Sequence, residues 1–230
     1  MRYLLEKGLE ELREEIGKMG ALVEESVEKT IIALKDMNEE LAKDIVAKDD
    51  EIDNVEAKIE KHCLSLFALQ QPLAGDLRII GSSLKMITDL ERIGDHSADI
   101  AEITTRLISG KTIKINSKIF GMAEMARSMV GRSIDAFINQ DAESAGEVCG
   151  NDDQVDDLFN EIIMDLVNQI KTTPDVTEQA IDIMFIVKYL ERMADHATNI
   201  SEWVVYNQTG KHKHLQHPEN HMSQEQDEEE

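Results

Sequence analysis

Aromatic residues are scarce in this 230-residue chain, at 4%. A core with few rings must be filled by Leu, Ile, Val, Met and Ala, which suit the packing of helices more than of sheets. There are three prolines, at positions 72, 174 and 218. Proline breaks a helix interior, so its rarity leaves long uninterrupted segments. The two cysteines, Cys63 and Cys149, lack metal-ligand spacing. They read as buried thiols in a reducing compartment. No apolar run approaches the ~20 residues that span a bilayer, and the first six residues lack the apolar stretch of a signal peptide. A cytoplasmic location is the expectation. Basic residues are outnumbered, 24 against 47 acidic, for a net charge of −23. Such a field repels phosphate backbones, which argues against nucleic-acid binding, and attracts cations and basic protein surfaces.

With 41% hydrophobic residues, the chain can bury a real core. Apolar residues recur at helical spacing, as in Leu41, Ile45, Ile52, Val55, Ile59 and Cys63, then Ile80, Leu84 and Ile87. The pattern predicts six helices, at about 2–35, 38–69, 74–109, 117–139, 142–171 and 175–209. Gly110 and Gly210 read as glycines just past helix ends. Thr173-Pro174-Asp175 reads as an N-cap with Pro at the first helical position. Short connections imply antiparallel neighbours, so each half is expected to be an up-down-up three-helix bundle. The polar segment 211–230, with His212, His214, His217 and His221 and many glutamates, reads as a disordered tail.

The two halves resemble each other. Residues 90–102 read LERIGDHSADIAE and residues 190–202 read LERMADHATNISE, seven of the thirteen being identical at an offset of 100. Upstream, Asp49, Ile52 and Asp53 return as Asp152, Val155 and Asp156, and Pro72 returns as Pro174. The economical explanation is an internal duplication. It gives an all-α fold of two tandem three-helix bundles, 1–111 and 112–210, followed by the tail 211–230.

The acids of the repeat share a helix face. At about 100° per residue, Asp95, Asp99 and Glu102 fall within about 80° of Glu91, on the side of Ile80, Leu84 and Ile87. The acidic cluster thus continues the apolar stripe toward a neighbouring helix, with the small residues Gly94 and Ala98 beside it. His96 and His196 fall away from the acids and read as surface or interhelical histidines. Asp53 and Glu91 are equidistant from the turn at Pro72, and so are Asp49 and Asp95. In antiparallel helices of equal rise they stand at equal heights. Around Pro174, Asp156 pairs with Glu191 and Asp152 with Asp195 to within one residue, about 1.5 Å of rise. Four carboxylates converging between two helices repel one another, and partial burial raises the cost. A cation must compensate. Oxygen-only ligands favour hard cations, namely magnesium, calcium, manganese or iron, and carboxylate bundles can bridge more than one metal. The competing reading is a solvated acidic stripe balanced by basic residues. There Arg92 and Arg192 lie about 100° round the helix from the acids, and Lys188 lies nearer, at about 60°.

Together these motifs resemble the PhoU family of phosphate-uptake regulators over residues 1 to about 210. The resemblance rests on LERIGD at 90–95, LERMAD at 190–195, QPLAGDLR at 71–78 and the pairs Asp49/Asp53 and Asp152/Asp156. It implies two three-helix bundles with metal clusters held by the E/D-x-x-x-D motifs. The candidate ligands are Asp49, Asp53, Glu91, Asp95 and Asp99 in the first half and Asp152, Asp156, Glu191, Asp195 and Asn199 in the second. The cations considered are iron, manganese, magnesium, calcium and zinc, singly or in multinuclear clusters. The resemblance further implies a cytoplasmic, non-enzymatic adapter that restrains the phosphate-starvation response. Its implied partners are the ATPase subunit of the phosphate ABC transporter and a sensor histidine kinase, with a homodimer and peripheral membrane association as further expectations. Three features depart from the family pattern: Met193-Ala194 stands where the first copy has Ile93-Gly94, Asn199 replaces Asp99, and no DLR follows Pro174. The Asn199 replacement predicts that the second site holds metal less tightly or with a different nuclearity. The alternative is a carboxylate-bridged metal enzyme of ferritin-like type. Those bundles carry Glu-x-x-His, whereas the ligand positions here show E-x-x-x-D with no inward histidine.

Overall fold

The computed structural model describes residues 2–69, 71–110 and 115–211. Most of the predicted tail therefore lies outside the described residues. In chain order the helices are α1 (Arg2–Asp36), α2 (Glu39–Ala47), α3 (Asp49–Leu69), α4 (Ala74–Ser109), α5 (Ser117–Asn139), α6 (Ala142–Cys149), α7 (Asp152–Thr172) and α8 (Thr177–Thr209). A 3-10 turn, Pro174–Val176, leads into α8. Among the described residues there is no strand. Nor, among these residues, is any helix long and apolar enough to cross a membrane.

Two of the six expected helices are each broken once, at equivalent places. The chain turns at Lys48 between α2 and α3, where Lys48 N–H bonds Ile45 O at 3.1 Å and Glu51 N–H bonds Lys48 O at 2.9 Å. It turns again at Gly150-Asn151 between α6 and α7. Hydrophobic periodicity runs through both breaks, since a tight turn shifts the apolar stripe little, and the breaks are invisible to it. Their effect is to make Asp49 and Asp152 the opening residues of α3 and α7. A carboxylate is favoured there by the helix dipole.

The ends differ partly from expectation. Gly210 is a left-handed cap at φ 71°, whereas Gly110 is extended at φ −93° and ψ −170°. Pro174 opens its turn as expected, but Thr173 makes no side-chain cap bond. Asn38 and Asp141 do cap, accepting from Leu41 N–H at 3.1 Å and Ser144 N–H at 3.0 Å.

The helix α4 packs against α1, α2 and α3, while α8 packs against α5, α6 and α7. The two long helices also pack against each other, and α1 meets α5. A single apolar cluster therefore runs through both bundles, from Leu5 to Val204. Leu12, Ile16, Ile59, Ile80, Ile93 and Ile100 are 1% exposed or less. Burying each such side chain contributes about 1.5–3 kcal/mol. Except for Asp99 and Asn199, the metal-ligand candidates line the edge of this core, where α3 faces α4 and α7 faces α8.

Candidate metal centre

Ile52, on the buried side of α3, sets the approach of α3 to α4. A Cβ at Gly94 would lie 2.9 Å from Ile52 Cδ1, so the absent side chain lets the two helices close. Asp53, next to Ile52, and Glu91 and Asp95, flanking Gly94, are thereby brought together. One carboxylate oxygen from each of Asp53, Glu91 and Asp95 lies within 4.8 Å of the others. Among the described residues this is the one such trio of carboxylate, thiolate or imidazole ligands.

Asp49 adjoins them. Burial first, then Asp95 and Asp53, push its carboxyl up to about 6. Burial and then Asp95 also raise Glu91. Glu91 Oε2 is buried without a hydrogen-bond partner. That oxygen, which makes no hydrogen bond, together with carboxylates raised by burial and by one another, is what a hard cation would satisfy. The donor set therefore fits a divalent metal.

Arg92 departs from its expected position. Its Nη1 lies 2.7 Å from Asp95 Oδ2 and its Nε 3.3 Å from Glu91 Oε2. The wheel places its Cβ well away from the acids, but a long side chain reaches back over one turn. The i,i+3 spacing to Asp95 was the available signal. Its side chain is 52% exposed, so it has solvent to turn into.

The second half repeats the arrangement with a different balance. Burial, then Glu191 and Asp152, push Asp195 up to about 6. Asp152 is raised by burial and then Asp156, and Asp156 by burial and then Glu191. Asp152 is buried and accepts from Thr198 Oγ1 at 3.3 Å. Lys188 sits on Glu191 at 2.7 Å, as its place on the wheel foretold.

Asp99 and Asn199 face a different direction. Asp99 accepts from the Tyr189 hydroxyl, and burial is the main cause raising its carboxyl. Asn199 Nδ2 reaches Asp89 Oδ1 at 3.4 Å. Both contacts cross between α4 and α8, related by the 100-residue repeat. Between them His96 and His196 meet ring to ring at 5.6 Å. His196 Nδ1 lies 2.8 Å from Asp89. Burial, then His196, push His96 down to about 4. The histidines are thus interhelical, at a pseudo-twofold seam. Asp99 stays close enough to Asp49 to raise it. Asn199 turns to the other half. Asp89 and Tyr189 of this seam carry no sequence signal, because one repeat position holds an acid and the other a phenol.

The geometry defines a class: a duplicated three-helix-bundle protein with an acidic cluster in each helical hairpin. The PhoU domain model matches the chain twice, over residues 16–104 and 119–204. The phosphate-specific transport system accessory protein PhoU homolog of Clostridium acetobutylicum is 39% identical over 211 residues, covering 91% of this chain and 96% of that protein. The homolog from Aquifex aeolicus is 38% identical over 212 residues, with the same coverage. The crystal structure of PhoU from Pseudomonas aeruginosa superposes with a TM-score of 0.87 at 33% identity, covering 90% of this chain and 99% of that one. The phosphate transport system regulatory protein PhoU from Streptococcus pneumoniae gives a TM-score of 0.86 at 30% identity, covering 91% and 99%. The chain belongs to the PhoU family.

Proposed function

We propose that this protein is a metal-binding regulator of phosphate transport. In this reading it is a non-enzymatic cytoplasmic adapter between the transporter ATPase and a sensor histidine kinase, acting as a homodimer. The names of its relatives support the transport role. The observation that carries the metal role is the convergence of Asp53, Glu91 and Asp95 within 4.8 Å, with Glu91 Oε2 making no hydrogen bond and facing only the half-exposed Arg92 at 3.3 Å.

Asp49, Asp53, Glu91 and Asp95 would hold the cation in the first half, with Asp99 at its edge. Asp152, Asp156, Glu191 and Asp195 would hold it in the second, where Asn199 turns away. The ion supplies positive charge that ties α3 to α4 and α7 to α8. The chain's own residues do the rest. Ile52 and Gly94 fix the helix spacing, and the openings of α3 and α7 present the first acid of each pair. Arg92 and Lys188 compete with the ion for Glu91, Asp95 and Glu191. A bundle braced in this way offers partners a fixed outer surface, which suits an adapter.

The test is to delete the gene and grow cells in high phosphate. Derepressed alkaline phosphatase and altered phosphate uptake are expected, restored by the wild-type gene. Unchanged expression and uptake would overturn the transport reading. Elemental analysis of protein purified without added metal tests the site separately. Metal that is present in the wild type and depleted in D53N/D95N is expected.

A further inference from the structure

A cavity of about 270 Å³ lies at the opposite end of the seam, walled by α1, α4, the end of α5 and α8. Its lining contains no Asp or Glu, although 47 of the 230 residues are acidic. It contains two arginines, Arg13 and Arg78. Arg2, Arg92, Arg106, Arg127 and Arg132 each meet a carboxylate. Among the described residues Arg13, Arg78 and Arg192 form no such pair, and Arg13 and Arg78 line this one cavity. Two guanidinium groups without counter-ions, lining one cavity of a chain this acidic, call for an anion.

Buried donors point the same way. Ser83 Oγ is 1% exposed and has no hydrogen-bond partner, and Arg78 Nε is buried without one. Both line the cavity. A polar group buried alone costs about 1–3 kcal/mol, so a ligand acceptor here has something to satisfy. Asn207 accepts from Ser82 through its oxygen at 2.8 Å, which leaves its amide hydrogens for another acceptor. Gln140, with its oxygen turned to Arg13, holds both terminal nitrogens at 2.8 Å. Gly210 keeps Arg78 in place by omission, since a Cβ there would collide with its guanidinium.

Arg78 ends the QPLAGDLR segment. Asp76 of that segment has a structural role, accepting from Leu73 N–H at 3.1 Å and from Arg2 at 2.8 Å. Arg78 has no such role among the described contacts.

We propose that this cavity is an oxyanion site for a phosphoryl group, either free phosphate or a phosphate monoester. Two guanidinium forks and a hydroxyl match a compact, multiply charged tetrahedral anion, and guanidinium–phosphate hydrogen bonds are charge-assisted. Leu9, Leu12, Ile79, Phe137 and Val204 give the cavity an apolar side, which accommodates the body of a monoester. The choice of phosphoryl over carboxyl rests on the phosphate-transport reading above.

The test is isothermal titration of the full chain with inorganic phosphate and with AMP, adenosine and chloride being the controls. Saturable binding of phosphate, AMP or both is expected, and which of them binds identifies the source. R78Q and R13Q should each weaken it about tenfold or more, and S83A, close in size to the native residue, should weaken it without lowering the melting temperature. D53N/D95N should leave it unchanged. The site is overturned if neither probe binds by about 10 mM. It is equally overturned if R78Q, R13Q and S83A all bind normally while D53N/D95N abolishes binding, which places the anion on the metal centre. A gene deletion without effect on phosphate uptake, alongside intact titration, would overturn the transport reading and leave the pocket standing.

Discussion

A carboxylate that is part-buried, and then crowded by other carboxylates, holds its proton more tightly in the folded chain than in the unfolded one. Asp49 and Asp195, each pushed up to about 6, are in this position. The sign follows from linkage. Their contribution to stability is present below the ordinary carboxylate range and is lost as pH rises through about 6. Chelator-treated, desalted protein should therefore melt at a higher temperature at pH 5.5 than at pH 7.5. With metal bound the order should reverse, because protons displace the ion. A metal-free melting temperature that stays flat or falls on acidification would contradict this. D49N/D195N should flatten the metal-free profile. The cysteines make a second case. Burial pushes Cys63 and Cys149 up to about 12. Both thiols should ignore a thiol reagent in the native protein and react at once in denaturant. Rapid native labelling would show that the helices around them open.

The helix pair α3–α4 has a counterpart in α7–α8 in which one methyl group has changed sides. Ile52 opposes Gly94 in the first. The repeat puts Val155 and Ala194, both fully buried, at the matching positions of the second. Overpacking costs about 1–3 kcal/mol, offset by the roughly 1 kcal/mol by which Ala is favoured over Gly inside a helix, so G94A alone should lose up to about 2 kcal/mol in urea unfolding. I52V/G94A, which copies the second half, should recover most of it. A double variant no better than G94A would mean that the helices do not meet at this point. The same elements show what sequence conveys. Apolar periodicity and the repeat made six helical segments and their pairing legible. Distance from Pro72 and Pro174 brought Asp53 level with Glu91 because antiparallel helices share one rise. The breaks at Lys48 and Gly150 were not legible, since a single turn leaves the apolar stripe nearly in phase. Nor was Arg92's reach, which depends on side-chain length and not on where Cβ points. Asp99 and Asn199 shared the wheel face of the other acids. Only the packing of α4 on α8 shows that this face divides between a hairpin and a seam.

Across the whole molecule, one apolar cluster joins both bundles, so the halves should unfold together. Calorimetry should give a single transition whose calorimetric and van't Hoff enthalpies agree. Two resolved peaks would mean that each half stands alone. Saturating metal should raise that transition, the bound ion stabilising by several kcal/mol, and chelator should reverse the gain. The seam itself has a further consequence. In a pair of identical chains related by a twofold axis, every contact is made twice by the same residues. Here Asp89 meets His196 and Asn199, while across the axis Tyr189 meets His96 and Asp99. Covalent fusion has released the partners from having to be alike. A change on one arm is no longer copied onto the other, so the two acidic basins are free to diverge, as Lys188 on Glu191 and Arg92 on Asp95 already do.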